Sequence, residues 1–248
     1  KEVAGTPLAR PAWYYDVEQQ GEGIADVTTH LIDLLFWKCF PDQVIDYKND
    51  ISNISASRWP TVITLQQFTQ STGESSFPVY LQKNLDEDLL EIYANGSLNF
   101  SIMGHDVNVK VVWNYQSLKG EGDTFNSTVK GTKATLKTIQ NKEQNFVKQL
   151  YAEVANGVSV DEFEASLKEA IVKIQLEHPY VSFTPTTNKG EYLIQIPVEN
   201  REGHESHFRY VAERFFSHLV NRDMPEWEKT NTLAKYYITT TAVEFANK

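Results

Sequence analysis

The stretch Gly21-Glu-Gly-Ile-Ala-Asp26-Val-Thr-Thr-His30-Leu-Ile-Asp33-Leu-Leu35 carries most of what this chain says about itself. Two glycines lead into an apolar helix, with an Asp and a His four residues apart near its start. Residues so spaced share a helix face, with Cβ atoms roughly 5–6 Å apart. A carboxylate at that distance can orient an imidazole and stabilise its proton, which suits a general base. Ile24, Val27, Leu31, Leu34 and Leu35 supply the apolar stripe expected to bury the helix. The same spacing also describes a helix-capping Asp beside a half-buried His.

The flanking sequence sets the organisation of the chain. Phe40-Pro41 ends the helix, and a β-rich region follows, from about residue 51 to 153. Thr61 to Phe68 reads as a strand. Asn95-Gly96 lies between two apolar runs and reads as a two-residue hairpin turn, for which Asn and Gly supply positive φ. Val107, Val109, Val111, Trp113 and Tyr115 alternate with other residues, as in a strand with one buried face. Gly131 to Gln140 and Phe146 to Val154 continue the sheet. Ser159-Val-Asp-Glu162 is a capping box opening a helix to about His178. Tyr192 to Val198 reads as an edge strand because of Pro197. Helices near 205–221 and 225–247 close the chain. The reading is a single α+β domain, residues 1–248, with helices packed on one face of a large, mostly antiparallel open sheet.

Composition narrows the function. The 248 residues are 41% hydrophobic and 12% aromatic, enough for a sizeable core. A net charge of −10 argues against nucleic acid and against an anionic membrane surface. No apolar run approaches the roughly 20 residues that span a bilayer. The lone Cys39 excludes an internal disulfide, and its apolar setting reads as packing. Four Asn-x-Ser/Thr sequons, at Asn53, Asn95, Asn99 and Asn126, are expected by chance in so Asn-, Ser- and Thr-rich a chain.

Three patterns taken together resemble one family. Arg10-Pro-Ala-Trp-Tyr-Tyr-Asp16 precedes the Asp26/His30 stretch, Lys130-Gly-Thr-Lys-Ala-Thr-Leu136 is similar to a Gly-Thr-x-Gly sheet segment, and a closing helix runs from Trp227 to Phe245. These resemble the C-terminal domain of the Gfo/Idh/MocA oxidoreductases (glucose–fructose oxidoreductase, inositol dehydrogenase and relatives). The resemblance extends from about Arg10 to the end, and implies the sheet type of the C-terminal domain of glyceraldehyde-3-phosphate dehydrogenase. It further implies hydride transfer with NAD or NADP, in the cytoplasm or the periplasm, on a sugar, polyol or related hydroxy compound. His30 would be the acid/base, Asp26 would bind and orient the substrate, and Thr29, Trp13 and Tyr15 would line its site. Thr28-Thr29 stands where the family carries a Gly, which bears on substrate identity. The implied partners are a carbohydrate-like substrate, an N-terminal cofactor domain and a second copy meeting this one through the sheet face.

Neither Gly21-x-Gly23 nor Gly120-x-Gly122 completes a dinucleotide fingerprint, and no strong strand precedes either. With Lys1 in place of an initiating Met, the chain is read as the second domain of a two-domain enzyme, binding no cofactor by itself. Two readings compete. One is a non-catalytic oligomerisation or ligand-binding module in which Asp26 and His30 are structural. The other is a metal-dependent hydrolase using Asp26, His30, His204 and His207; the alternative for His204-Glu-Ser-His207 is a surface helix start.

Overall fold

A computed structural model describes residues 2–3, 5–202 and 204–248. In chain order the elements are β1 (Glu2–Val3), β2 (Thr6–Pro7), α1 (Val17–Gln20), α2 (Val27–Cys39), β3 (Ile51–Thr64), α3 (Leu65–Thr72), β4 (Leu85–Asp86), β5 (Leu89–Ile102), β6 (His105–Val111), β7 (Phe125–Lys130), β8 (Ala134–Gln140), β9 (Gln149–Val154), α4 (Val160–Ile174), β10 (Ser182–Pro185), β11 (Glu191–Gln195), α5 (His204–Asn221) and α6 (Glu226–Ala246). The class is α+β with antiparallel pairing throughout. The strands form three sheets: β1 and β2 pair by themselves, β3 to β6 form a four-stranded sheet in the first of two compact units, and β7 to β11 form a five-stranded sheet in the second. The first unit comprises Lys1–Gln116 and Arg222–Lys248; the second is Ser117–Asn221.

In the first unit β5 is the central strand. It pairs with β3 along one edge and with β4 and β6 along the other. The expected Asn95-Gly96 turn is not there: both residues lie inside β5. Asn95 is buried in a bulge between Trp59 and Thr61 of β3. Its amide donates to Trp59 O (3.1 Å) and Thr61 Oγ1 (2.8 Å) and accepts from Trp113 N–H (2.7 Å). The hairpin turn is Met103-Gly104 instead, both at positive φ (48° and 80°), joining Ile102 to His105.

Leu98, Phe100 and Ile102 of β5 meet Ile32 and Phe36 of α2 and Ala234, Ile238 and Ala242 of α6 in one core cluster. Leu90 and Ile92 of the same strand meet Tyr15, Ile63, Phe68 and Leu81 in another. The strand expected to reach Phe68 stops at Thr64, because Thr64-Leu-Gln-Gln67 is a capping box. The Gln67 N–H donates to Thr64 Oγ1 (3.2 Å) and the Thr64 N–H to Gln67 Oε1 (2.8 Å), which starts α3. The alternation from Val107 ends at Val111, and Trp113 and Tyr115 pack against the second cluster.

The second unit orders its strands β10-β11-β9-β8-β7. The segment expected at the edge, β11, is internal; β10 holds the edge, and Pro197 lies beyond the strand. Ser159 caps α4 through one arm of the expected box, its Oγ accepting from the Glu162 N–H (3.5 Å), and Phe163 packs with Ala152 and Tyr192.

Candidate functional site

The entrance to α2 is built by glycines. Gly21 sits at φ 99°, and the Gly23 N–H donates to Tyr93 O of β5 (3.1 Å). A Cβ on Gly23 would lie 2.5 Å from the Ala94 carbonyl carbon and closer still to its oxygen. A Cβ on Gly96 would lie 2.9 Å from Ile24 Cδ1 and closer still to Cγ1. Both glycines therefore serve close approach of the helix entrance to β5, and the space a pyrophosphate would need at Gly23 is filled by the strand. Beside them Glu22 forms an ion pair with Arg58, whose guanidinium carbon stands 4.2 Å above the Tyr93 ring. The second Glu22 oxygen, Oε2, is buried and has no hydrogen-bond partner among the described residues.

The buried line of the helix is Ile24, Thr28, Ile32 and Phe36. The expected stripe is thus rotated by about one residue: Val27 is exposed, and Leu31, Leu34 and Leu35 are half-buried. Thr28 can occupy this line because its hydroxyl donates to the Ile24 carbonyl, leaving no orphaned polar atom. With that line inward, Asp26 and His30 both face solvent, one turn apart. Asp26 caps no backbone N–H with its side chain; Oδ2 instead accepts from Gln20 Nε2 (3.2 Å). The His30 side chain has no hydrogen-bond partner among the described residues. Thr29 is half-buried and donates its hydroxyl to the Asp26 carbonyl (2.5 Å).

The aromatic residues of the site separate. Trp13 is 46% exposed, whereas Tyr15 is 1% exposed, with its hydroxyl donating to Ser71 Oγ (2.5 Å). Tyr15 therefore belongs to the core behind the surface that Trp13 presents. One turn beyond His30, Asp33 accepts from Lys235 Nζ of α6 (2.7 Å), tying α2 to α6. Sequence reasoning missed both ion pairs, since each joins residues far apart in the chain. The pair of glycines around Glu22 was the one local sign that this side chain enters a close contact.

On β3 Trp59 is half-buried, with Lys110 Nζ 5.5 Å from its ring centroid. The His204 side chain lies outside the described residues; His207 is exposed. No group of three or more His, Cys, Asp and Glu residues capable of holding a metal occurs among the described residues. No helix there is long and apolar enough to cross a membrane. An open cleft of ≈ 400 Å³ lies on the first sheet, lined by Asn53, Asn99, Phe100, Ser101, Asp106, Val107 and Asn108, and includes none of the α2 residues.

Residues 1–247 match the family described as "Putative oxidoreductase C terminal domain". The crystal structure of a putative oxidoreductase from Parabacteroides merdae ATCC 43184 is similar, with a TM-score of 0.95 and 45% identity. That match covers 100% of this chain and 56% of the other, so the chain spans little more than half the length of this relative. No curated protein matches the chain.

Proposed function

Since the chain belongs to the family of oxidoreductase C-terminal domains, we propose that it is the substrate-binding domain of an NAD- or NADP-dependent enzyme of Gfo/Idh/MocA type. Its substrate is a sugar, polyol or related hydroxy compound. The observation that carries this reading is the solvent-facing placement of Asp26 and His30, one turn apart, on a helix whose opposite side is locked into the core. A helix so anchored holds two polar groups in fixed relation, which positioning for catalysis requires.

His30 accepts the proton of the substrate hydroxyl during oxidation and returns it during reduction. Asp26 keeps one carboxylate oxygen for a neighbouring hydroxyl while Gln20 steadies the other. Trp13 offers an exposed ring to the C–H face of a sugar, and Thr29, next to His30 in the chain, serves as a polar lining. The nicotinamide supplies the hydride acceptor when bound. The glycines at the entrance to α2 do not fit a dinucleotide, because the β5 backbone fills the space beside Gly23. The cofactor is therefore assigned to a part of the full-length protein outside this domain. Self-association through the sheet face belongs to the same proposal, and the polar rows Ser55–Asn99–Asn108 and Ser57–Ser97–Lys110 suit a hydrated interface there.

The test is His30→Ala in the full-length enzyme with a substrate found by screening polyols and sugars. Turnover should fall by roughly 10²–10⁴, the span of a general acid/base, with cofactor affinity unchanged. Near-normal turnover would remove His30 from the chemistry and leave a non-catalytic binding module as the better reading.

A further inference from the structure

The tripeptide Ala-Asn-Gly occurs twice in the chain, as Ala94-Asn95-Gly96 and as Ala155-Asn156-Gly157. An asparagine followed by glycine is chemically labile, because no side chain shields the glycine nitrogen from the asparagine amide carbon. The two copies share that lability and differ in what surrounds them. Asn95 is 2% exposed, and three hydrogen bonds hold its amide. The space beside Gly96 is taken by Ile24. Turning the Asn95 amide carbon onto the Gly96 nitrogen would break all three bonds inside the core.

The second copy lies in the turn between β9 and α4, and Asn156 and Gly157 are both exposed. The Val158 N–H donates to the Ala155 carbonyl (3.2 Å), so Asn156 and Gly157 are the central residues of a β-turn. Gly157 stands at φ 83°, and nothing lies within 4 Å of where a Cβ would be. Neither the Asn156 side chain nor the Gly157 N–H has a hydrogen-bond partner among the described residues.

We infer that Asn156 is a site of spontaneous modification, converted in the folded protein to aspartate and isoaspartate, while the fold withholds the identical tripeptide at Asn95. This inference stands independently of the catalytic reading. The Gly157 nitrogen gives up its proton and attacks Asn156 Cγ. The new N–Cγ bond closes a five-membered imide, the Cγ–Nδ2 bond breaks, and the amide nitrogen leaves as ammonia with that proton. Water then opens the imide. Addition at Cγ gives aspartate; addition at the main-chain carbonyl carbon gives isoaspartate, whose backbone runs through Cβ and Cγ. Water is the one co-reactant, and nothing is oxidised. Isoaspartate lengthens a turn whose ends are pinned, by the Ala155 N–H on Lys133 O (3.0 Å) and by the Ser159 cap of α4. The first turn of α4 loosens in that product.

The experiment ages the full-length protein in mildly alkaline buffer, once folded and once in urea. Peptide mass mapping follows both tripeptides, with fragmentation that separates isoaspartate from aspartate. In the folded protein Asn156 should react roughly a thousandfold or more faster than Asn95, which reacts only in the unfolded fraction, on the order of 10⁻³ or less. In urea the two should react at similar rates, their local sequences being the same. Hydrogen exchange should rise at the start of α4 in the aged protein. It should not rise in aged Asn156→Gln, whose longer side chain closes its ring far more slowly. An intact Asn156 after ageing, or equal rates at the two tripeptides in the folded protein, would overturn the inference. So would a wide gap that persists in urea, since the neighbouring residues and not the fold would then protect Asn95. Unchanged exchange at α4 in the modified protein would overturn the loosening.

Discussion

Adding one methyl group to Gly96 should expose how the entrance of α2 is fixed to the sheet. A Cβ there would stand 2.9 Å from Ile24 Cδ1 and closer to Cγ1, with Ser57 O at 3.4 Å. Ile24 is fully buried and cannot swing outward. Overpacking of this kind costs about 1–3 kcal/mol, and removal of glycine's freedom in a strand returns part of it. Gly96→Ala should therefore destabilise the first unit by about 2 kcal/mol. Ile24→Ala alone should cost about 2–5 kcal/mol, through lost burial and the cavity it leaves. In the double variant the new methyl occupies part of that cavity. The sum of the single effects, about 5 kcal/mol, should shrink to about 3 kcal/mol, a coupling of roughly 2 kcal/mol. Urea unfolding followed by tryptophan fluorescence isolates the event, since Trp13, Trp37, Trp59, Trp113 and Trp227 all lie in the first unit. Additivity to within about 0.5 kcal/mol would mean that Gly96 and Ile24 do not share this space, and the account of the helix entrance would fail.

Other outcomes follow from single side chains. Asn95→Ala removes three hydrogen bonds at the bulge and should cost about 3 kcal/mol in the same urea assay, at roughly 1 kcal/mol for each bond; a loss under about 1 kcal/mol would deny that the amide holds the bulge. Burial pushes the Tyr15 phenol above its ordinary value, against the opposing hydrogen bond with Ser71. A raised acid contributes stability that is intact below the unfolded tyrosine value, about 10, and is lost as pH climbs from there toward the folded value. Tyr15→Phe should therefore flatten the alkaline decline in stability, and an unchanged decline would contradict it. Burial likewise pushes the Cys39 thiol up, so iodoacetamide should modify the native protein slowly and the urea-unfolded chain rapidly; equal rates would place the thiol in the open.

The sequence made the helices legible where period and caps agreed. The helix at Val27–Cys39 and the closing pair stand where periodicity and proline placed them, because both signals are local. Asn95-Gly96 misled because the same two residues serve different ends. In a hairpin they supply positive φ; here Asn95 satisfies a bulge from a strand and Gly96 admits Ile24. That choice is made by Trp59, Thr61 and Trp113, all remote in sequence. Thr64-x-x-Gln67 was a readable local signal, outweighed by the β-branched run before it. Pro197 misplaced the sheet edge because β10 is only four residues long and carries a proline of its own. For the site, the four-residue spacing of Asp26 and His30 fixed their shared face. Which aromatic reached the surface depended on Ser71, and which line of α2 turned inward depended on the Thr28 back-bond.

The second unit interrupts the first. Ile24, Ile32 and Phe36 need Ala234, Ile238 and Ala242 to complete their core, and all of Ser117–Asn221 is synthesised in between. On the ribosome the second unit can therefore complete its own β7–β11 sheet while the helix bearing Asp26 and His30 still lacks its neighbour α6. Folding order thus runs against chain order, and the intervening span adds a loop-closure cost to the step that finishes the first unit. A nascent chain stalled before Arg222 should protect the second unit from protease and leave α2 open to cleavage; protection of α2 at that length would show that the first unit closes without its last helix.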